Sequence, residues 1–501
     1  MIFLGIDLGT SSVKLLLMND AGKVIKTVSK DYPVYYPKPG WAEQNPEDWW
    51  NATREGIKEI LAASDVKGTA VQGIGLSGQM HGLVLLDTDN HVLMPAVLWC
   101  DQRTQAECDD ITEKLGDRLS EYTGNKALTG FTAPKVLWVK RKRPEVYNKI
   151  SHILLPKDFI RFKLTGDYAT DVSDASGTLF FNVAKRSWSQ EMIDLLGITE
   201  EVLPKCFESY EVTGAVTEQA ALLTGLSAGT PVVGGGGDQA CGAVGTGVVA
   251  PGMISVALGT SGVVFACQEE YQVDDENRLH TFCHSNGMWH VMGVMLSASS
   301  CLKWWVEEVC QLDDSSFGQL LDEAEQIPPG SDGLIFLPYL MGERTPYSDP
   351  CARGSFIGLN MMHHRAHMTR AILEGVSFGL RDSLEIIREQ NIPIQTLRLN
   401  GGGAKSFLWR QILADIFGIQ VEIVNSVDGP AFGAAILAAV GVGTFNSVED
   451  ACDRLIEPVW STEPDSEKVK TYNRMYQVYS GLYGKLKDTF QELSMMDNEK
   501  P

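Results

Sequence analysis

Apolar and polar positions alternate over Val13–Met18 and Lys23–Ser29, and Asn19-Asp20-Ala21-Gly22 between them has hairpin-turn composition. Ahead of this pair, Phe3–Ile6 is a short unbroken apolar run. It predicts a buried strand ending in the turn Asp7-Leu8-Gly9-Thr10. After it, Asn45-Pro46-Glu47-Asp48 has the makings of a helix start: an Asn N-cap, Pro in the first turn and acids beside it. Trp49, Ala52, Ile57, Ile60 and Leu61 then approximate one helical face. Val71–Ser77 predicts a strand that opens into Gly78-Gln79-Met80-His81-Gly82, and Leu83–Leu86 leaves as another. This order predicts mixed α/β architecture with functional loops at strand ends.

The pattern recurs in the second half. Ser255–Phe265, with Gly259-Thr260 at its turn, echoes Gly5–Leu15. Leu397–Asn400, running into Gly401-Gly402-Gly403-Ala404-Lys405-Ser406, echoes the Ile74–Gly82 strand and loop. Two matched starts, each with its own later strand and loop, predict a duplicated domain. We place the boundary near 246, giving domains over 1–246 and 247–494. A last helix is expected over about 467–492 on the outside of the second domain, with 495–501 as a frayed tail.

Length and composition agree with two large domains, since 501 residues exceed one core and domains usually run to roughly 100–200 residues. A net charge of −22 excludes a nucleic-acid-binding surface, because such a chain repels phosphate backbones. It leaves nucleotide binding open, since backbone amides and Mg²⁺ can hold a triphosphate. No stretch reaches the length of a membrane span and the start lacks a signal-peptide pattern, so a soluble protein is expected. Ten scattered cysteines without CxxC spacing predict reduced thiols and a cytoplasmic setting.

The turns carry the chemistry. Asp7 at a strand end is a hard oxygen ligand suited to Mg²⁺, through water. Gly9 lets the backbone approach closely, and the Thr10 hydroxyl suits phosphate oxygens. One such turn could be an ordinary strand end; its recurrence at Gly259-Thr260, with Ala257 in place of the acid, predicts a polyphosphate clamp across a cleft. Pro231-Val232-Val233 then runs into four glycines and Asp238. That many glycines weaken a strand, and a chain accepts them where something must approach the backbone or where it must hinge. Asp238 falls at a helix start, either as a simple N-cap or as the acceptor of a hydroxyl proton during phosphoryl transfer. With two phosphate turns in the same chain we favour the catalytic role.

Gln79, Met80 and His81 supply hydrogen-bonding groups and an apolar wall suited to a polyol. Trp99 and Asp101 add an aromatic platform and a charge, although Trp99 reads equally well as core. The Gly402-Gly403-Ala404 loop could take a flat adenine ring. His363 and His367 at i, i+4 lack the Glu of a zinc-protease motif and read as a solvated helix start.

Together these elements resemble the FGGY family of carbohydrate kinases, within the actin-like and hexokinase-like ATPases. Gly130–Val139 is similar to one family signature and Gly354–Leu359 begins the other; the basic run Lys140–Arg143 departs from the first. Ser77–Gly82, Leu154–Asp158 and Phe336–Leu340 with Gly342-Glu343-Arg344-Thr345-Pro346 are most similar to members acting on D-xylulose. The resemblance implies two related actin-like, ribonuclease H-like α/β domains around a catalytic cleft, and phosphorylation of D-xylulose at C5 by MgATP. It implies Asp238 as proton acceptor, Met80 and His81 as sugar contacts, and Asp7 at the metal or phosphate. Thr10, Gly259, Thr260, Gly402 and Ala404 are implied ATP contacts, and Ser299 and Lys303 lie where relatives place adenine-side residues. A homodimer is reasonable on the same ground, though the residues point to no interface. Two rivals stand beside this reading: a sibling kinase for ribulose, gluconate or glycerol, and an actin-like ATPase switch.

Overall fold

The structure, a computed structural model, describes residues 1–426 and 428–498. The chain builds two seven-stranded mixed sheets in the same order of events. In the first, β1 (Ile2–Leu8), β2 (Ser12–Asn19) and β3 (Val24–Asp31) form an antiparallel meander. Helix α1 (Pro46–Ser64) follows, with the Asn45 side chain accepting the Glu47 amide hydrogen at its start. Then β4 (Val71–Gly78) returns parallel to β1. Phe3 and Leu4 are both fully buried, so β1 is covered on both faces, which is why its apolar run does not alternate.

A long excursion follows before the sheet is completed. Its helices include α2 (Thr132–Lys142), α3 (Pro156–Thr165) and α4 (Val172–Ser176), of which α3 packs on β4. The basic run that departs from the family signature caps α2, where cations suit the helix C-terminus. There Lys140 donates to the Leu196 carbonyl and Arg141 pairs with Asp110. Strands β5 (Val212–Ala215) and β6 (Pro231–Val233) extend the sheet beyond β4, and β7 (Gly236–Gly237) pairs with the end of β4. The chain then enters α5 (Asp238–Gly245).

The second sheet repeats the plan. β8 (Gly252–Leu258) and β9 (Gly262–Gln268) form the hairpin, β10 (His280–Cys283) and β11 (Trp289–Met295) extend it, and α6 (Arg365–Glu389) leads into β12 (Ile394–Asn400), parallel to β8. Helix α7 (Phe407–Phe417) and β13 (Gln420–Val424) follow. Helix α8 (Gly429–Gly441) comes next, and β14 (Pro458–Thr462) closes the edge.

Helix α8 does not stay with its own sheet: it crosses to pack on β1, β4 and α5. Its approach is close enough that a Cβ on Gly5 would overlap the Ala431 carbonyl, and one on Gly75 the Ala434 carbonyl. A further apolar cluster joins Met80 and Phe131 of the first half to Val263, Phe265 and Phe282 of the second. The terminal segment corrects the expected single helix over 467–492. It is two helices, α9 (Ser466–Tyr479) and α10 (Leu482–Asn498), broken at Ser480-Gly481. Of the expected tail 495–501, Met495–Asn498 continue α10, and 499–501 lie outside the described residues.

Candidate active site

Strand register assembles the centre. Asp7 pairs with Ser77 across β1 and β4, Gly236 pairs with Ser77 across β7 and β4, and Gly237 pairs with Gly78. Asp7 therefore ends β1 on one side of β4, and Asp238, two residues beyond Gly236, opens α5 on the other side at the same end of the strand. Burial pushes Asp7 up to about 6, against the pull of the Ser77 hydroxyl and Lys14. Burial pushes Asp238 up to about 7, the charge of Asp7 adds to this, and Gln239 opposes it. The Oδ1 atom of Asp7 is buried without a hydrogen-bond partner.

Each glycine turn is closed by its own amide, though the second is one residue tighter. The Gly9 amide donates to the Ser12 carbonyl at 3.0 Å, and the Gly259 amide to the Ser261 carbonyl at 3.1 Å. The first turn is held from outside: Gln44 donates to the Thr10 carbonyl at 2.7 Å, and Trp99 Nε1 donates to the Thr10 hydroxyl at 3.0 Å. The second is held by the helix start after β11, where the Ser299 amide donates to the Gly259 carbonyl and the Ser299 hydroxyl to the Leu258 carbonyl.

The sugar-side residues divide into two groups. His81 has φ of 69°, a left-handed conformation that turns its ring back over α4. Its Nδ1 stands 2.6 Å from the Gly177 carbonyl. A carbonyl only accepts, so Nδ1 carries the hydrogen and Nε2 is left as an acceptor. Burial depresses His81 to about 3, so it is neutral. Its carbonyl is gripped by Lys135 Nζ at 2.8 Å and by the Thr132 hydroxyl at 3.1 Å. Met80 packs on Gly237, next to Asp238. Trp99 is 38% exposed and faces the Thr10 turn.

Gln79 and Asp101 do not fit the sugar-contact role expected of them. Gln79 is 2% exposed and donates to the Gly9 carbonyl and to Gln44 Oε1, so it braces the Gly9-Thr10 turn. Asp101 is fully buried, and its oxygens accept from Arg103 and the Ala42 amide.

Arg344 is a residue that residue-by-residue chemistry missed, seen in the sequence only within a motif. It follows Glu343, whose Oε1 accepts both the Arg344 and Leu296 amide hydrogens. Burial raises Glu343 to about 8, leaving it protonated. The next residue, Thr345, is tied to Val294 on β11 and to the Arg278 carbonyl. The guanidinium has no ion-pair partner among the described residues, and its charge bears on both His81 and His280. These histidines flank Phe131, at ring separations of 4.8 and 5.7 Å. Groups from both halves thus meet in one box.

The second half holds a mostly apolar cavity of about 450 Å³. Thr260, Ser299, Lys303, Gly402 and Gly403 are on its wall, as are Phe317 and Trp409, which the sequence did not single out. Gly401 has φ of 90°, so the loop turns sharply after β12. Ala404 does not reach this wall, contrary to expectation; it is buried in the second domain's core, with its carbonyl accepting from Arg410.

Comparison with known proteins follows the same division. The N-terminal domain of the FGGY family of carbohydrate kinases matches residues 2–245, and the C-terminal domain of that family matches 254–442. A xylulose kinase of Bacillus subtilis is 43% identical over 486 residues, 97% of each chain. A crystal structure of a xyloylose kinase from Brucella ovis superposes with a TM-score of 0.92 at 38% identity, covering 98% of this chain and 100% of that one. A gluconate kinase from Lactobacillus acidophilus gives 0.93 at 27% identity, covering 98% and 99%.

Proposed function

The chain belongs to the FGGY family of carbohydrate kinases, and we propose that it transfers the γ-phosphoryl group of ATP to O5 of D-xylulose, giving D-xylulose 5-phosphate. The observation that supports the chemistry is the strand register that brings Asp7 and Asp238 to the same end of β4, one on each side of it and close enough for the charge of Asp7 to act on Asp238. A 2-pentulose closes its furanose ring through the C5 hydroxyl, so the form phosphorylated there is the open-chain ketone. Such a substrate offers a carbonyl and secondary hydroxyls to the box around His81. The neutral His81 Nε2 accepts from a hydroxyl, and Arg344 donates to oxygens at the end remote from C5.

Asp238 accepts the C5 hydroxyl proton as the oxygen attacks the γ-phosphorus in line with the departing ADP oxygen. A carboxyl lifted to about 7 suits that exchange near neutral pH. Amides and hydroxyls of the Gly9-Thr10 and Gly259-Thr260 turns hold the phosphoryl oxygens, while Gly402 and Gly403 border the base. Asp7, with its buried, unpartnered Oδ1, fits the role of carboxylate for Mg²⁺, which when bound neutralises phosphate charge. Residues 1–246 thus supply most of the sugar side, with Arg344 reaching in from the second half, and 247–494 supply the base side, with the Gly9-Thr10 turn reaching the phosphates; closing the two excludes water. Ten unpaired cysteines accord with a reducing cytoplasm.

Coupled ADP release with MgATP and a panel of D-xylulose, D-ribulose, L-ribulose, gluconate and glycerol tests the assignment. D-Xylulose should give the highest kcat/KM by a wide margin. A gluconate optimum would retain the kinase and overturn the reading of the His81 box. ADP release without any sugar would point to an ATPase switch instead.

A further inference from the structure

Beneath the strand that delivers Asp238 lies a buried ionic cluster that phosphoryl transfer does not itself use. The Lys157 ammonium, on α3, lies 2.6 Å from Asp158, 2.9 Å from Asp171 and 3.3 Å from Asp174, and all four side chains are essentially inaccessible. One cation cannot neutralise three carboxylates away from water. Burial drives Asp174 well above the carboxylate range, so it stays protonated and the other two share the ammonium.

Asp171 passes this anchoring onward. Its Oδ2 accepts the Ser173 amide hydrogen at 2.8 Å, the Ser173 hydroxyl at 2.5 Å and the Ser209 hydroxyl at 2.9 Å. Having given its only proton to Asp171, the Ser173 oxygen accepts from its other neighbours. One is the Gly237 amide at 3.1 Å, the residue before Asp238. The other is the Ser285 hydroxyl at 3.4 Å, which comes from the second domain. That domain also touches α4 through the Cys283 amide, which donates to the Ser176 hydroxyl at 3.0 Å. Gly236 leaves the room for this junction: a Cβ there would fall 2.7 Å from Ser285 Oγ and 3.1 Å from Ser173 Oγ.

We propose that Ser173 is a positioning residue that fixes the Gly237 amide, and with it Asp238, against the Lys157–Asp171 pair, and that the second domain acts on this setting through Ser285. The inference rests on Asp238 as the proton acceptor. The Ser285 contact is long for a hydroxyl pair, as contacts completed by domain closure often are before substrate binds. Closure shortens it, drawing a second donor onto the oxygen that holds Gly237. The two halves are then coupled at the reacting carboxylate as well as at the nucleotide.

The test measures kcat and both KM values for full-length Ser173→Ala, Ser285→Ala, the double variant and Asp238→Asn, with melting temperatures alongside. Ser173→Ala should lower kcat by about tenfold or more with KM for ATP within about twofold, because small misplacements of a reacting group are costly. Ser285→Ala should lower kcat several-fold, and the double variant should match Ser173→Ala alone, since both act through one oxygen. Multiplying effects would overturn the link between the domains. A kcat for Ser173→Ala within twofold of wild type, while Asp238→Asn is inactive, would overturn the positioning role. Turnover retained by Asp238→Asn would remove the base and the inference with it. Should Ser173→Ala fail to fold, an unchanged kcat for Ser285→Ala is sufficient to overturn the proposal.

Discussion

At the scale of single residues, Asp238 opposes activity to stability. Its folded pKa lies above the unfolded value, so folding favours the protonated form. That contribution is complete below pH 3.8 and is lost as pH rises through about 7. Asp238→Asn removes the buried charge, so the variant should melt at a higher temperature than wild type at pH 8, with the difference vanishing near pH 3.5. A variant less stable at pH 8 would contradict the burial argument. In wild type, kcat/KM for the sugar should fall about tenfold per pH unit below about 7, as the base takes up its proton before substrate does. Arg344 is a separate case, because the cation has no ion-pair partner among the described residues. Hydrogen bonds to charged groups are worth about 1.5–3 kcal/mol. Arg344→Met should therefore reduce kcat/KM for the sugar by roughly 10- to 100-fold without changing KM for ATP, and lysine should rescue it poorly. A loss shared equally with ATP would move Arg344 out of the sugar box.

At the scale of elements, close approach between backbones sets the tolerance to change. Gly75 lies where β4 meets the Ala434 carbonyl of α8, so a methyl group has no place to go. Gly75→Ala should cost about 1–3 kcal/mol or more in urea unfolding, as overpacked cores do. Gly484, an exposed position in the first turn of α10, meets nothing within 4 Å, and its change to alanine should be neutral or stabilise by up to about 1 kcal/mol. Equal effects would mean that α8 is not seated as tightly as its glycines indicate. The same contrast explains what the sequence revealed. Both glycine turns and their flanking strands were legible because the pattern is local and occurs twice. The break at Ser480-Gly481 was missed because apolar spacing continues past it, although the glycine was there to be read. The burial of Gln79 and Asp101 was not legible because it is decided by segments far away in sequence, Gln44 for the one and Ala42 for the other. That Trp99 would hold the Thr10 hydroxyl lies 89 residues beyond any local pattern.

At the scale of the molecule, the two halves are not independent bodies, although the family match divides them at 245 and 254. Helix α8, from the second half, covers β1 and β4 of the first and packs on α5. Its residues Ala431, Phe432 and Ala435 share one buried cluster with Phe3, Leu16 and Val244. A chain ending at 246 would leave that apolar face open to water, and exposed faces of this kind associate. Residues 1–246 expressed alone should therefore aggregate, whereas co-expression with 247–501 should return a soluble, active pair. Intact protein should unfold in a single calorimetric transition, because removing either half uncovers the core of the other. Saturating ATP should raise that one transition as a whole, since a ligand held by the native state alone stabilises everything that unfolds with its site. Two separated transitions, with only one moved by ATP, would show that the crossing helix does not unite the halves. In that case the Ser285 contact, and not α8, would be the principal link left between the second domain and Asp238.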